Sequence, residues 1–199
     1  MQKTMSPGLD KLFDERSKAT DDMAGHMVYI RNLVRGLGDC AEFGVRRANS
    51  TVALLAGCSG KVHSYDVERL PRFESYLTAI EKVAGGRWDF NLQSSLKATL
   101  PPCDALIIDS LHNYDHIKAE LDRHGDGIRK YLIFHDSMSC GCWGQSSTCA
   151  KSKPNIIGIR PAIDHFMIDR KGQWEIIHHD VDNSGLLVIE RVKQCPTNS

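Results

Sequence analysis

The chain has 199 residues, enough for one domain with a sizeable core and too few for a second of equal size. Its 25 Lys and Arg balance 25 Asp and Glu, so no cationic excess is available to neutralise a phosphate backbone, and nucleic acid is not the expected partner. An apolar fraction of 41% and a charged fraction of 25% are those of a folding chain. No apolar run approaches a bilayer span and the first residues lack the apolar stretch of a secretory signal, so no membrane contact and a cytoplasmic location are expected. The cysteine count of seven is odd, and Cys40, Cys58 and Cys103 lie in or beside apolar segments, where reduced thiols pack.

Met23, Met27, Ile30, Val34 and Leu37 recur at helical spacing and predict a helix over residues 20–37. A short apolar run follows at 40–45, then a packed helix through Ser50, Val52, Leu54 and Leu55, ended by Gly57 and Gly60. Residues 61–67 alternate as a strand does, and apolar positions 70, 73, 77, 80 and 83 predict a helix before Gly85 and Gly86. Residues 88–92 are a weaker strand candidate, whereas the unbroken apolar run 105–108 ending at Asp109 suits a strand covered on both faces. A helix over 114–124, a buried strand at 131–134, a helix begun near Pro161 and two closing strands around 174–179 and 185–192 complete the pattern. Alternating strand and helix predict a single α/β domain: a helical segment over 1–38, a three-layer Rossmann-like core over 39–191, and a mostly parallel sheet closed by a C-terminal antiparallel hairpin.

In such sheets ligands bind beyond the carboxyl ends of the strands, which directs attention to Glu42 and Gly44, Asp66, Asp109, and His135 with Asp136. Gly44 permits a sharp turn into the helix that starts near Ser50, and Asp66 stands 24 positions after Glu42, where a second strand presents a carboxylate to ribose hydroxyls. That spacing suits an adenosine-type cofactor, and the absence of G-x-G-x-x-G argues against a dinucleotide. Gln93 and Ser94, after the third strand, are candidates for adenine contacts through amide and hydroxyl groups. The bland alternatives are a turn at Gly44, helix caps at Asp66 and Asp109, and an ordinary polar loop at Gln93 and Ser94.

The stretch E-F-G-V-R-R-A-N-S-T at 42–51 resembles the first cofactor motif of class I S-adenosylmethionine-dependent methyltransferases, with Ala48-Asn49 where two glycines are usual. D-S-L-H-N-Y-D-H-I-K-A-E-L at 109–121, followed by Y-L-I-F-H-D-S at 131–137, resembles the macrolide-sugar, rhamnosyl and cephalosporin-hydroxylase-like O-methyltransferases, and the likeness spans residues 39–191. The resemblance implies S-adenosylmethionine as cofactor; with the strand-end reading, its candidate contacts are Glu42, Gly44, Ser50, Asp66, Gln93, Ser94 and Asp109. It also implies a divalent metal at Asp109, His135 and Asp136, with His112 as general base, and a small-molecule hydroxyl acceptor, a sugar or polyol. His135 replaces an acidic residue of the pattern, which moves the expected ion from Mg²⁺ toward Mn²⁺, Fe²⁺ or Zn²⁺.

The polar stretch 137–155 is long for a connection and reads as a lid. Its Cys140, Cys142 and Cys149, with His135 nearby, lack the paired C-x2-C spacing of common zinc sites, so the lid is the preferred reading. His178 and His179, adjacent on a strand, point to opposite faces and do not share an ion. Two rivals stay open: a nucleotide-dependent oxidoreductase or hydroxylase-associated protein on a similar sheet, and a non-catalytic cofactor-binding subunit. Homo-oligomerisation is left open as well.

Overall fold

A computed structural model describes residues 7–148 and 151–192. The chain divides into two compact units, the first ending at Ser110 and the second beginning at Leu111.

Among its described residues the first unit holds four α-helices and four strands: α1 (Pro7–Arg16), α2 (Met27–Leu33), β1 (Cys40–Phe43), α3 (Asn49–Gly57), β2 (Val62–Asp66), α4 (Glu74–Val83), β3 (Trp88–Leu92) and β4 (Ala105–Ile108). The strands are parallel, in the order β3-β2-β1-β4. Every residue of β1 and β4 is buried, which is why neither shows an alternating pattern. Edge strand β3 is only partly buried, so its apolar signal is weak. Helix α3 packs on both α1 and α2, and all its residues from Asn49 to Ala56 are buried; after the polar first turn of Asn49, Ser50 and Thr51 it is accordingly apolar on every side.

The helix expected over 20–37 is shorter. A 3-10 turn at Ala24–His26 leads into α2, because Asp21 and Asp22 both accept from the Met23 backbone N–H and hold the chain in a capping turn, and the other end stops before Gly36 at φ +76°. Helix α1 falls within the segment 1–38 expected to be helical, but no periodic pattern marks its own bounds. It presents only Leu9 and Phe13 to the interior, a stripe too narrow to stand out, and is held further by Arg31 stacked 4.1 Å over the Phe13 ring.

The second unit contains α5 (Tyr114–His124), β5 (Tyr131–His135), α6 (Arg160–Asp169), β6 (Trp174–Asp180) and β7 (Leu186–Arg191). Strand β7 pairs antiparallel with both β5 and β6, giving the expected C-terminal hairpin. Helix α5 starts where Asn113 accepts from the His116 N–H, and α5 packs on α6. The β6–β7 register shifts between Ile176 and His178, and His178 is half-buried where His179 is exposed. Between the hairpin strands, Asn183, Ser184 and Gly185 all take positive φ, and the carbonyl of Ser184 accepts from Met138 and Ser139. The hairpin turn therefore supports the chain directly after β5.

The described part of segment 137–155 is tied down along its length. Gln145 N–H donates to the His112 carbonyl at 2.7 Å, Gly144 N–H to Ile156 and Lys153 N–H to Gly144, while Gly158 and Ile159 N–H reach back to Cys142 and Cys140. Cys149 lies outside the described residues. Among the described residues, no helix is long and apolar enough to cross a membrane.

Candidate functional site

In the first unit the strand order reverses beside β1: β2 and β3 are laid down on one side of it, and β4 returns to the other. Ligands of open parallel sheets bind at the carboxyl ends of the strands at such a switch point. Gly44 and Asp109 end the two strands that flank it, with Asp109 N–H donating to Phe43 and Gly44 N–H to Tyr65. Gly44 has φ +85°, and a Cβ there would stand 2.1 Å from the Asp109 carbonyl oxygen, so only glycine fits.

The loop after Gly44 is shaped by Asp66. One carboxylate oxygen accepts from Val45 N–H at 2.8 Å and Arg46 N–H at 3.2 Å, and the other accepts from Glu68 N–H at 3.1 Å. Of the roughly four acceptor directions of a carboxylate, three are thus directed at backbone. Within the loop Arg46 and Ala48 adopt φ +48° and +59°, so the left-handed backbone usually supplied by glycines is present here with side chains attached. The loop is braced from the N-terminal segment. Arg16 donates to the Arg47 carbonyl at 2.9 Å and to the Asn49 side chain at 3.2 Å, and Arg47 pairs with Asp21 at 2.7 Å. Burial pushes the Asp21 carboxyl up, but the hydrogen bonds from Arg47 and Asn49 outweigh it and hold the group below its ordinary value. Arg16, Asp21 and Arg47 escaped the sequence reading because their role depends on a contact 26 to 33 residues away.

Glu42 is fully buried. Its carboxylate accepts from Ser50 at 2.7 Å, Thr51 at 2.5 Å and Ser64 at 2.5 Å, and Ser64 in turn accepts from the Trp88 indole at 2.8 Å. Burial raises the carboxyl to about 7, opposed by these hydroxyls and reinforced by the charge of Asp109. Ser50 thus spends its hydroxyl on Glu42, and the pair joins the start of α3 to β1. Gln93 is exposed and Ser94 half-buried just past β3, next to the end of β2, where Asp66 pairs in register with Leu92.

In the second unit three side chains converge on Asp136. His112, only 4% exposed, points Nδ1 at Asp136 Oδ2 (3.4 Å) and at Gln145 Oε1 (3.1 Å). His135, also buried, has Nδ1 3.9 Å from the same carboxylate oxygen. The third is Cys140, whose ligating atom lies with those of His112 and Asp136 inside a 4.8 Å cluster. Asp136 sits at φ +56°, and Ser139 donates to its Oδ1 at 2.6 Å, which leaves Oδ2 toward the imidazoles. Of the expected metal residues, His135 and Asp136 are brought together here with the expected base His112, while Asp109 belongs to the first unit. Imidazole, carboxylate and thiol donors together fit a divalent ion with affinity for nitrogen and sulfur.

No family model and no curated protein sequence matches the chain. Among solved structures, an O-methyltransferase from Bacillus cereus in complex with SAH is similar over 96% of this chain and 94% of that one, with a TM-score of 0.62 and 15% identity. This chain has the class I methyltransferase fold. The same fold relates it to magnesium protoporphyrin IX methyltransferase from Synechocystis PCC 6803 with bound SAH, at TM-score 0.59, 17% identity and coverage of 94% and 95%. It also relates the chain to an rRNA methylase from Streptococcus thermophilus, at TM-score 0.57, 10% identity and coverage of 87% and 98%. Those class I methyltransferases differ in acceptor, so the fold leaves the acceptor to be argued from this chain's own residues.

Proposed function

We propose that this chain is an S-adenosylmethionine-dependent methyltransferase that methylates a hydroxyl oxygen of a small molecule, a sugar or polyol-bearing metabolite. The observation that carries the cofactor reading is the switch-point loop of the first unit, where Gly44 has no room for a side chain and Asp66 gathers the backbone N–H groups that follow it. Gln93, Ser94 and Asp109 complete the proposed cofactor surface, and the buried Glu42–Ser50 hydrogen bond supports it from beneath. A balanced charge of 25 against 25 disfavours RNA as acceptor, even though one structural neighbour is an rRNA methylase. The neighbours are methyltransferases and the chain lacks a dinucleotide glycine pattern, so the oxidoreductase alternative is not favoured.

In the reaction the sulfonium S–CH₃ bond breaks as the O–CH₃ bond forms, S-adenosylhomocysteine leaves, and the acceptor hydroxyl gives up its proton. The cofactor supplies the activated methyl; the chain must align the acceptor oxygen and take the proton. The proposed proton acceptor is His112, whose ring is held by Gln145 and Asp136, the carboxylate stabilising the imidazolium that forms. Metal assistance is part of the proposal: Asp136 is the carboxylate that would hold a divalent ion, with His135 and Asp109 as the partners implied by resemblance. When bound, such an ion lowers the pKa of a coordinated hydroxyl. The test is calorimetry with S-adenosylhomocysteine, followed by incubation with S-adenosylmethionine and a panel of sugars and polyols, products being read by mass. Cofactor binding with one added methyl on an acceptor is expected. Absence of binding to either adenosyl compound, together with binding of a nicotinamide dinucleotide, would overturn the reading.

A further inference from the structure

We propose that His112, Asp136 and Cys140 form a binding site for one borderline divalent ion of the zinc and cobalt class, with Cys140 as a thiolate ligand. This differs from the carboxylate-based set that resemblance implies; it rests on the proposed methyl transfer but revises one role in it, His112 becoming a ligand in place of the base, and it names the class of ion.

Three observations converge on it. The three ligating atoms, one each of nitrogen, oxygen and sulfur, already lie within 4.8 Å of one another. Tetrahedral zinc at bond lengths of about 2.0–2.3 Å separates its ligand atoms by roughly 3.3–3.8 Å, so a contraction of about 1 Å completes the set. The 3.4 Å between His112 Nδ1 and Asp136 Oδ2 is already at that spacing.

The backbone is arranged to bring the two nearer ligands in sequence together. Cys140 N–H donates to the Asp136 carbonyl at 2.9 Å, closing one turn that places both side chains on one side, and Asp136 holds a left-handed φ of +56° to do so. Ser139 occupies Oδ1 at 2.6 Å, so Oδ2 is the oxygen left to face the ion. That second-sphere hydrogen bond orients a ligating carboxylate in the way metal sites commonly require.

Burial and chemistry select among the cysteines and among the ions. Cys140 is 3% exposed, whereas Cys142, two residues on, is exposed. A thiolate selects borderline and soft ions and is a poor ligand for Mg²⁺, which demands oxygen and keeps its water. Three protein ligands leave a fourth position open, the arrangement of zinc sites that act on a bound molecule. With the ion in place His112 would be a ligand and no longer the proton acceptor; a hydroxyl at the open position, its pKa lowered by the ion, would release its proton to bulk water.

The experiment uses the full chain stripped of metal and titrated with Co²⁺, whose thiolate complexes absorb in the near ultraviolet and whose low-coordinate complexes absorb strongly in the visible. One equivalent should produce both bands, Zn²⁺ should displace it, and a large excess of Mg²⁺ should not. Cys140→Ser should lose the near-ultraviolet band and Cys142→Ser should keep it, with circular dichroism checking both folds. Should Cys140→Ser not fold, zinc K-edge X-ray absorption of the wild-type chain loaded with one equivalent of Zn²⁺ serves instead: one sulfur at about 2.3 Å is expected beside nitrogen and oxygen at about 2.0 Å, and Cys142→Ser should keep it. Absence of the near-ultraviolet band in the wild-type chain, its persistence in folded Cys140→Ser, or a zinc shell without sulfur overturns the site. None of these readouts involves methyl transfer, so their failure is distinguishable from failure of the proposed function.

Discussion

The methyl group that Gly44 lacks would stand 2.1 Å from the carbonyl oxygen of Asp109. One strand end is thus pressed against another at the switch point, and Gly44→Ala must push them apart while also straining φ +85°. We expect a loss of about 2–4 kcal/mol in chemical denaturation, with S-adenosylhomocysteine affinity falling in the fraction that folds. Unchanged stability would show that the two strand ends are not in contact.

Glu42 makes stability fall as pH rises. Its carboxyl is raised to about 7 in the folded chain by burial, against 4.5 for the free group, so between those values the folded state keeps a proton that the unfolded state has released. The stabilisation is full below the unfolded value and lost as pH climbs through the folded one, an effect on the order of 3 kcal/mol. Glu42→Gln should flatten this part of the stability profile, measured by urea denaturation between pH 4.5 and 8. An identical slope in variant and wild type would place the titration elsewhere.

Asp66 has two duties that a pair of variants can separate. Asp66→Ala removes the acceptor for Val45 and Arg46 and should lower both stability and S-adenosylhomocysteine affinity, the latter by about 1.5–3 kcal/mol. Asp66→Asn retains one acceptor oxygen and should stay within about 1 kcal/mol of wild-type stability, yet still weaken the cofactor roughly tenfold. Equal cofactor affinity in wild type and Asp66→Asn would assign Asp66 to the loop alone.

The exposed, left-handed Arg46 invites the opposite change. Arg46→Gly relieves a backbone cost of about 1–2 kcal/mol and adds about 0.5–1 kcal/mol of unfolded-state entropy, for a net gain below about 1.5 kcal/mol. A higher midpoint at unchanged m value is the expected denaturation result.

His112→Ala should lower turnover by about 10²–10⁴-fold while S-adenosylhomocysteine binding stays within about twofold. The test is a single-turnover assay beside calorimetry; comparable losses in both would make His112 a structural residue.

Strands β4 and β5 were legible in sequence because buried strands write themselves as unbroken apolar runs, here stopping at Asp109 and His135; β1 carries Glu42 inside it and β2 carries His63 and Ser64 before Asp66, so their ends were read from spacing instead. Helices ending at glycines were legible for the same local reason. Contacts made across sequence were not. Arg16 and Asp21 bracing the loop at Arg47 and Asn49 carry no periodic signal, and α1 offers only two buried side chains. Cys140 was visible as one of three cysteines, but its partner Asp136 emerges only from a one-turn backbone bend with positive φ, which no spacing rule specifies. The serine at position 50 resembled a cofactor contact, whereas its hydroxyl is directed inward to Glu42.

The hairpin turn that carries Gly185 sets a schedule for the second unit. A Cβ at Gly185 would lie 2.6 Å from Met138 N, and Ser184 receives the N–H groups of Met138 and Ser139, so the turn is the seat on which the bend after Asp136 rests. Every donor group of the His112 cluster is synthesised some forty residues before that seat is made. A nascent or truncated chain ending before Asp182 therefore carries all the ligands without the surface that shapes them, and competence at this cluster arrives only when the last hairpin closes.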